Sequence, residues 1–504
     1  MSTLHRLLWL ILLVTSAALA PAIAEEAKPA PQAAQTRPAT EEQAFRLPPD
    51  KVSQHTISLA GVQLAYKATA GTIPLQGQKG ELAARMFYVA YIAENAGPRP
   101  ITFAFNGGPG ASAAFLHMGL MGPRIVPFQE KGAQPVLPVQ IADNPNSWLS
   151  FTDLVFIDPV GTGYSRAIGG GQDAQRAYWG TEKDADSIIE FIRLYLARNG
   201  RDLSPVFLAG ESYGGFRAAL LADRILASGY LLKGTVLISP ALEFSVLRGG
   251  RYSLLPLTFA LPSLTAANIE MQDGPNAPLD TVREAEVYAR TTYLVHLAAG
   301  LKNDDAVNAA LAKFTGLDPQ IIARQHGRVP TSVFTREYQR RTDRALSVYD
   351  ATVSVPMPRP SNDMHFDPIL DGAVTVLTPA TVQYIRQELG FVADLQYHLL
   401  NREASGHWDF GIKPGRQGYA GSLEELQKAR IRNNALGVFI AHGYTDLVTP
   451  FSMSAYLIGQ LQPIEGAAPV DLHVYRGGHM MYLRPASRAE LTQDVERFFR
   501  AKTK

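Results

Sequence analysis

One short segment restricts the fold of this chain more than any other, the sequence G-E-S-Y-G at 210–214, which Gly215 extends. It matches G-x-S-x-G, in which a serine sits on a sharp, strained turn between a strand and a helix. Such a turn accepts only very small flanking residues, which explains the glycines. An apolar run at 205–210 precedes Ser212, and a stretch rich in Ala and Leu follows it to about 228. We therefore predict a strand, a turn that presents the Ser212 hydroxyl, and a helix.

Apolar runs alternate with helical patterns along much of the chain. One helix is predicted to begin at Thr181, where Thr181 and Asp184 resemble a capping box. Uniformly apolar strands between helices are typical of a mostly parallel sheet covered by helices on both faces, so we predict an α/β fold. Alternating runs between about 56 and 91 indicate antiparallel strands ahead of that sheet. The predicted buried strands lie at 101–105, 153–158, 205–210, 234–239, 437–441 and 471–475, before a terminal helix at about 487–501.

The strand–helix alternation lapses between about 243 and 430, where the sequence is mostly helical. Helices are predicted at 279–299, 331–349 and 380–389, with Pro-rich and Gly-rich connectors between them. An insertion explains this region better than a separate domain, because the parts on either side carry complementary motifs. We predict one α/β catalytic domain formed by 51–242 and 431–504, with a cap insertion at 243–430.

The N-terminus is typical of an exported protein. Arg6 precedes an apolar run at 7–13, and A-I-A at 22–24 resembles a signal-peptide cleavage site. An uncleaved anchor is the alternative, because 7–24 is nearly long enough to span a membrane, but the small residues favour cleavage. We predict a signal peptide at 1–24, a flexible leader at 25–50, and a periplasmic or extracellular location.

Composition excludes several classes of chemistry and partner. The chain has no cysteine, so disulfides, cysteine nucleophiles and thiolate metal sites are ruled out. The formal net charge is +1, and no run of Lys or Arg suggests binding to nucleic acid. After signal cleavage we expect no stable membrane association. The sequence leaves the oligomeric state open, with a homodimer as one option.

A serine on such a turn needs a general base and an acid that orients the base. In folds with this turn the acid precedes the histidine, and each follows a late strand. Asp446 follows the predicted strand at 437–441, and His479 follows the one that ends at 475. We predict Asp446 as the acid and His479 as the base, both at the carboxyl edge of the sheet where α/β proteins place active sites.

Other residues compete for these two roles. His442 and His473 lie close by, but His442 precedes the predicted acid and His473 falls inside a strand. Asp471 is an alternative acid, although it begins a strand, which favours Asp446.

The reaction of a serine nucleophile also requires backbone N–H donors that stabilise an oxyanion. One should come from the residue after the nucleophile, which is Tyr213 here. The second should come from a glycine-rich loop after an earlier strand, and N-G-G-P-G at 106–110 has that position. A simple tight turn is the alternative for this loop, because Asn, Gly and Pro dominate turns.

Together these motifs resemble the serine carboxypeptidase family. The resemblance implies an α/β-hydrolase fold and the removal of single amino acids from the C-termini of peptide substrates, without a metal or cofactor. An esterase or acyltransferase with the same triad is the alternative, and an inactive binding protein is a more distant one. The matching blocks lie at 106–110, 122–123, 144–148, 158–165, 210–215, 443–446 and 477–480.

The resemblance also assigns the reacting groups. It implies that Ser212, Asp446 and His479 form the catalytic triad. It implies that the backbone N–H groups of Gly108 and Tyr213 form the oxyanion hole.

Recognition of the substrate's terminal carboxylate is implied for Asn106, Gly107 and Glu211. Glu211 can accept a carboxylate only when it is protonated, and either burial or a neighbouring acid raises a carboxyl pKa. The family usually has a glutamate where this chain has Leu120, and that glutamate shares a proton with the one beside the serine. Ala111 replaces a cysteine that is usual in the oxyanion loop. These departures indicate a divergent, cysteine-free branch.

Overall fold

A ten-stranded mixed sheet forms the centre of the molecule. The computed structural model describes residues 47–94, 97–169, 171–249, 252–357, 366–411, 418 and 421–503. Its strands are β1 Lys51–Leu59, β2 Val62–Gln76, β3 Leu82–Ala93, β4 Ile101–Phe105, β5 Arg124–Ile125, β6 Ala142–Asp143, β7 Asp153–Ile157, β8 Arg166–Ala167, β9 Val206–Glu211, β10 Leu232–Ile238, β11 Arg344–Leu346, β12 Ser354–Pro356, β13 Gly437–Gly443 and β14 Val470–Tyr475.

The strand order confirms the predicted α/β fold. The sheet runs β1-β2-β3-β7-β4-β9-β10-β13-β14, and β8 pairs with β3. The strands from β7 to β14 in this order are parallel, while β1, β2 and β3 are antiparallel to their neighbours. The carboxyl ends of β4, β9, β13 and β14 therefore meet at one edge, which is where the predicted site residues follow their strands.

Apolar side chains pack on both faces of the sheet at its centre, which explains why the central strands β4, β7 and β9 lack a polar face. In β9, Phe207 and Ala209 join one apolar cluster, and Val206 and Leu208 join another. The first cluster includes the terminal helix and the second includes the helices before and after β9, so helices cover both faces as predicted. The α-helices are Ala114–Leu116, Gly171–Arg176, Thr181–Arg198, Tyr213–Ala227, Phe244–Leu247, Leu255–Asp273, Asp280–Tyr288, Leu294–Ala298, Asp305–Thr315, Pro319–Arg324, Thr331–Glu337, Pro368–Gln387, Arg402–Gly406, Leu423–Arg432, Phe451–Ile458 and Pro485–Lys502.

The segment between β10 and β13 is mostly helical and has an apolar cluster of its own. The helix predicted at 279–299 is present, with a π-helical turn at Ala289–Tyr293 in its middle. The prediction of a helix over 331–349 was wrong beyond Glu337, because the chain turns at Asp343 with a φ of +56° and then forms β11.

Two further helices in this segment differ from the prediction. The helix predicted at 380–389 begins much earlier, at Pro368, because the Asp367 carboxylate accepts the first free N–H groups of the helix. The helix Leu255–Asp273 was not predicted from the sequence. It is buried on most sides, so its apolar residues show no helical period, and it contains Pro262, which is unusual inside a helix.

The predicted signal peptide lies outside the described residues, as does most of the predicted leader. Residues 47–50 are described: Leu47 packs against the core, and the Asp50 carboxylate accepts a 2.9 Å hydrogen bond from the N–H of Thr72. Over the part of the chain that the structure describes, no helix is long and apolar enough to cross a bilayer.

Candidate active site

Ser212 lies on a tight turn between β9 and the helix Tyr213–Ala227. Its φ is +60°, in the left-handed region that a side chain rarely adopts. Its backbone N–H donates a 2.9 Å hydrogen bond to the carbonyl of Ile238 in the next strand. A Cβ at Gly210 would lie 2.0 Å from the carbonyl oxygen of Gly214, so the turn closes only around a glycine. The sequence motif therefore corresponds to a strained turn that presents Ser212 to a cleft.

Asp446 and His479 form a buried pair beside this turn. The Asp446 Oδ2 and His479 Nδ1 atoms are 2.8 Å apart, and both side chains are almost fully buried. Burial lowers the pKa of the His479 imidazole, but the Asp446 carboxylate outweighs it, so the net pKa lies above the usual value. Burial acts against ionisation of Asp446, yet His479 and several hydrogen bonds bring its pKa below the usual value.

Thr449 completes the surroundings of the Asp446 carboxylate and was not found from the sequence. Its hydroxyl donates a 2.7 Å hydrogen bond to Asp446 Oδ2 and lies 3.1 Å from His479 Nδ1. The backbone N–H groups of Val448 and Thr449 donate to Asp446 Oδ1 at 2.7 and 3.0 Å. A threonine three residues after an acid is too common a pattern to have identified it.

The alternative residues take other positions. His442 is buried and hydrogen-bonds the Ser454 hydroxyl at 2.8 Å, while His473 pairs with Asp494 at 3.3 Å. Ser212 and His479 line the same cleft, and Asp446 is hydrogen-bonded to His479 behind it. Among the described residues the Ser212 hydroxyl has no hydrogen-bond partner, and the hydrogen bonds of a serine nucleophile often tighten only when substrate binds.

The two predicted oxyanion donors, Gly108 and Tyr213, line the same cleft. Neither backbone N–H donates to an acceptor within the described ranges. Tyr213 begins its helix, so its N–H is one of those that helix geometry leaves free, and the helix dipole adds positive potential there. The arrangement can stabilise negative charge next to the Ser212 hydroxyl.

Glu211 is buried beside Asn106 at the base of the cleft. Asn106 Nδ2 donates to Glu211 Oε2, and the Tyr482 hydroxyl donates to the same oxygen at 2.8 Å. Burial raises the pKa of Glu211 to about 7, against the lowering effects of His479 and the two donors. Leu120 is fully buried and supplies no acid, so burial is the main cause of the raised pKa of Glu211, with a smaller contribution from the Asp446 carboxylate.

An ion pair behind the site replaces the expected capping box. Thr181 begins its helix without a side-chain cap; its hydroxyl instead lies 3.2 Å from that of Tyr213. Asp184 accepts a 2.6 Å hydrogen bond from buried Arg217, which also donates to the carbonyl of Asn106 at 2.6 Å. The capping-box prediction was wrong because a buried guanidinium competes for the Asp184 carboxylate.

The segment at 243–430 supplies one side of the cleft. The Tyr349 ring packs edge-on against His479 with centroids 5.2 Å apart, and its carbonyl accepts a 2.6 Å hydrogen bond from the His479 N–H. No sequence motif indicated this contact. Across the described parts of the chain, no group of three or more His, Asp or Glu side chains is arranged to hold a metal ion. The other cleft residues from this segment are Phe244, Leu247, Arg248, Leu370 and Leu400.

Comparison with known proteins shows which family part of this chain resembles. Residues 62–241 match the family model described as serine carboxypeptidase. Over these residues, which are less than half of the chain, it is similar to the serine carboxypeptidase family. The matched region contains Asn106, Gly108 and Ser212, whereas Asp446 and His479 lie beyond it. The presence of His479 in the same cleft as Ser212 is therefore a result of the tertiary structure.

Relatives in this family are matched over part of their length. The chain is 30% identical to the pheromone-processing carboxypeptidase KEX1 of Cryptococcus gattii over 183 residues, 35% of this chain and 25% of that protein. It is 27% identical to serine-type carboxypeptidase F of Aspergillus niger over 34% of this chain and 30% of that protein. The matches thus span about a quarter to a third of the length of these relatives.

A solved structure extends the similarity of fold to most of the chain. The prohormone-processing carboxypeptidase KEX1(delta)p of Saccharomyces cerevisiae superposes with a TM-score of 0.55 at 18% identity. The match covers 86% of this chain and 91% of that one. This similarity confirms the α/β-hydrolase fold.

Proposed function

We propose that this protein is a serine-type carboxypeptidase that hydrolyses the C-terminal peptide bond of peptides through an acyl-enzyme. One observation carries the proposal: Glu211, a buried carboxyl with a pKa of about 7, lies beside Ser212 in the same cleft as His479. A neutral carboxylic acid at that position can donate a hydrogen bond to a substrate carboxylate, whereas an ionised one would repel it.

The proposed reaction begins when Ser212 Oγ attacks the carbonyl carbon of the last peptide bond. His479 Nε2 takes the hydroxyl proton, and Asp446 stabilises the resulting imidazolium. The backbone N–H groups of Gly108 and Tyr213 stabilise the oxyanion.

The tetrahedral intermediate then collapses, because His479 returns the proton to the leaving nitrogen and the C–N bond breaks. The C-terminal amino acid then departs and leaves an ester on Ser212. Water, deprotonated by His479, attacks this ester, and the shortened peptide is released with the Ser212 hydroxyl restored.

Asn106, Gly107 and Glu211 are proposed to bind the terminal carboxylate, which places the last peptide bond against Ser212. The predicted signal sequence supports an exported enzyme with extracytoplasmic peptides as substrates.

The test compares three substrates: a blocked dipeptide with a free carboxylate, its C-terminal amide and a simple ester. We expect release of the free C-terminal amino acid, with a clear preference for the free acid over the amide. Equal cleavage of acid and amide, or cleavage of the ester alone, would contradict a carboxypeptidase. Labelling by a fluorophosphonate probe should occur in the wild type and be lost in Ser212→Ala, which separates an active hydrolase from an inactive binding protein.

A further inference from the structure

The hydrogen bonds of Glu211 distinguish its two carboxyl oxygens. Oε2 accepts from both Asn106 and Tyr482. Oε1 accepts from no described residue, and Glu211 lines the cleft. In a neutral carboxylic acid the carbonyl oxygen is the better acceptor, while the other oxygen carries the proton. Two donors on Oε2 therefore favour the proton on Oε1.

Both donors are held in fixed orientations. Asn106 Oδ1 accepts a 3.1 Å hydrogen bond from the N–H of Leu116, which leaves Asn106 Nδ2 to face Glu211. Tyr482 is fully buried on the short turn Met481–Leu483, and its ring lies against Gly119. Burial and Glu211 raise the pKa of Tyr482 well above its usual value, so its hydroxyl remains a donor throughout the range in which Glu211 titrates.

We propose that Tyr482 is a positioning residue for substrate recognition, which with Asn106 makes Oε2 of Glu211 the accepting oxygen and leaves Oε1 to donate its proton to the substrate carboxylate. This role rests on the proposed function. Tyr482 acts through Glu211 and touches neither Ser212 nor, by this account, the substrate. Its contribution should be confined to substrates that have a free terminal carboxylate.

The same contact sets the pH range of recognition. The ionisable groups that act on Glu211 are His479, Asp446, Tyr349 and Tyr482. Among them, the Tyr482 hydroxyl stabilises the ionised form of Glu211 and so lowers its pKa. Loss of that hydroxyl should raise the pKa of Glu211, and the neutral form should then persist to higher pH.

The test uses Tyr482→Phe, which keeps the ring and removes only the hydroxyl. The matched control is Tyr475→Phe, because Tyr475 is also buried and donates a 2.8 Å hydrogen bond to a carboxylate, that of Asp494 outside the cleft. Thermal unfolding and fluorophosphonate labelling of Ser212 verify that both variants are folded. The values of kcat and KM are measured across pH for the blocked dipeptide and for its C-terminal amide.

For Tyr482→Phe we expect KM for the free acid to rise about fivefold at mildly acidic pH, the effect of one lost hydrogen bond. Its kcat, and both constants for the amide, should be unchanged. For the free acid, the fall in kcat/KM on the alkaline side of the pH profile (the alkaline limb) should move to higher pH. This shift should be absent from a Glu211→Gln background, where nothing titrates at that position. Tyr475→Phe should match the wild type in all of these measurements.

Two results would overturn the role of Tyr482 while leaving the proposed function intact. One is a Tyr482→Phe enzyme whose KM and alkaline limb equal those of Tyr475→Phe. The other is an equal loss for the acid and the amide, which would indicate a purely structural role. A wild type that does not discriminate between acid and amide would instead overturn the proposed function, and this role with it.

Discussion

The Arg484 guanidinium donates a 2.7 Å hydrogen bond to the Asp350 carboxylate, and both side chains are almost fully buried. A second nitrogen of Arg484 pairs with Glu270 at 2.7 Å. Asp350 also accepts a 2.8 Å hydrogen bond from the hydroxyl of Thr445, the neighbour of Asp446. This cluster joins the segment at 243–430 to the loops that carry the acid and the histidine.

Arg484→Met would leave two buried carboxylates without their cation. We expect the free energy of unfolding to fall by about 3 kcal/mol or more, the usual effect of breaking a buried pair. Chemical denaturation measures this change. The control is Arg341→Met, because Arg341 pairs with Asp318 at 3.3 Å while 92% exposed, and such surface pairs contribute about 1 kcal/mol or less. Similar losses of unfolding free energy in the two variants would show that the buried cluster stabilises the fold no more than a surface ion pair does.

The contribution of Asp446, the acid of the proposed triad, can be measured separately from that of Thr449, which hydrogen-bonds its carboxylate. Asp446→Asn should lower kcat by about 10⁴-fold, because the amide favours the wrong imidazole tautomer. Thr449→Val removes one donor to Asp446 and should lower kcat about tenfold. Thr235→Val is the matched control, since the buried hydroxyl of Thr235 has no hydrogen-bond partner in the described structure. If Thr235→Val and Thr449→Val lowered kcat equally, the Thr449 hydroxyl would have no specific role.

The pH dependence of kcat/KM should be bell-shaped for substrates with a free carboxylate. His479 must be neutral to accept a proton, and its pKa is raised, so activity should fall as pH drops through that raised value. Glu211 must be neutral to bind a carboxylate, so activity should also fall as pH rises through about 7. Glu211→Gln should abolish only this alkaline limb.

The control for that measurement is Glu243→Gln. Glu243 is another carboxyl whose pKa burial raises, but it accepts a hydrogen bond from the N–H of Leu423, and neither residue lines the cleft. An alkaline limb that survives in Glu211→Gln would assign the titration to a different group.

Gly107 is required because the loop at 106–110 lies directly on the turn at Ser212. A Cβ at Gly107 would be 2.4 Å from the N atom of Tyr213 and 2.7 Å from the carbonyl oxygen of Glu211. Gly107→Ala should therefore displace the proposed oxyanion donors and lower kcat/KM by about 10²-fold or more. Gly372→Ala is the control, because a Cβ there meets no atom within 4 Å. Wild-type kinetics in Gly107→Ala would contradict the close approach of these two loops.

Arg248 should influence which side chains the cleft accepts. It lines the cleft with its guanidinium 5.7 Å from the Phe244 ring centroid, and no ion pair in the described structure includes it. Arg248→Glu should shift the kcat/KM ratio of blocked dipeptides with Glu and Lys side chains by about tenfold in favour of Lys. Arg283→Glu, at an 82% exposed side chain, is the control and should leave this ratio unchanged. An unchanged ratio in Arg248→Glu would place its charge out of reach of bound side chains.

The sequence by itself determined the features that depend on neighbouring residues. The turn at Ser212, the parallel strands and the loop at 106–110 all follow from short patterns, because backbone strain and strand burial act locally. The order of acid and histidine along the chain, together with their positions after late strands, also predicted Asp446 and His479 as a pair.

Only the tertiary structure decided which distant groups surround the site. Tyr482 and Glu211 are 271 positions apart, and the Asp350–Arg484 pair spans 134. Contacts of this kind depend on how helices and loops pack, and no local pattern encodes that packing. Asp184 shows the same limit. Its neighbours predicted that it would cap its own helix, but its carboxylate instead accepts a hydrogen bond from buried Arg217 of another helix. The pKa of Glu211 likewise follows from burial, which exists only once the chain is folded.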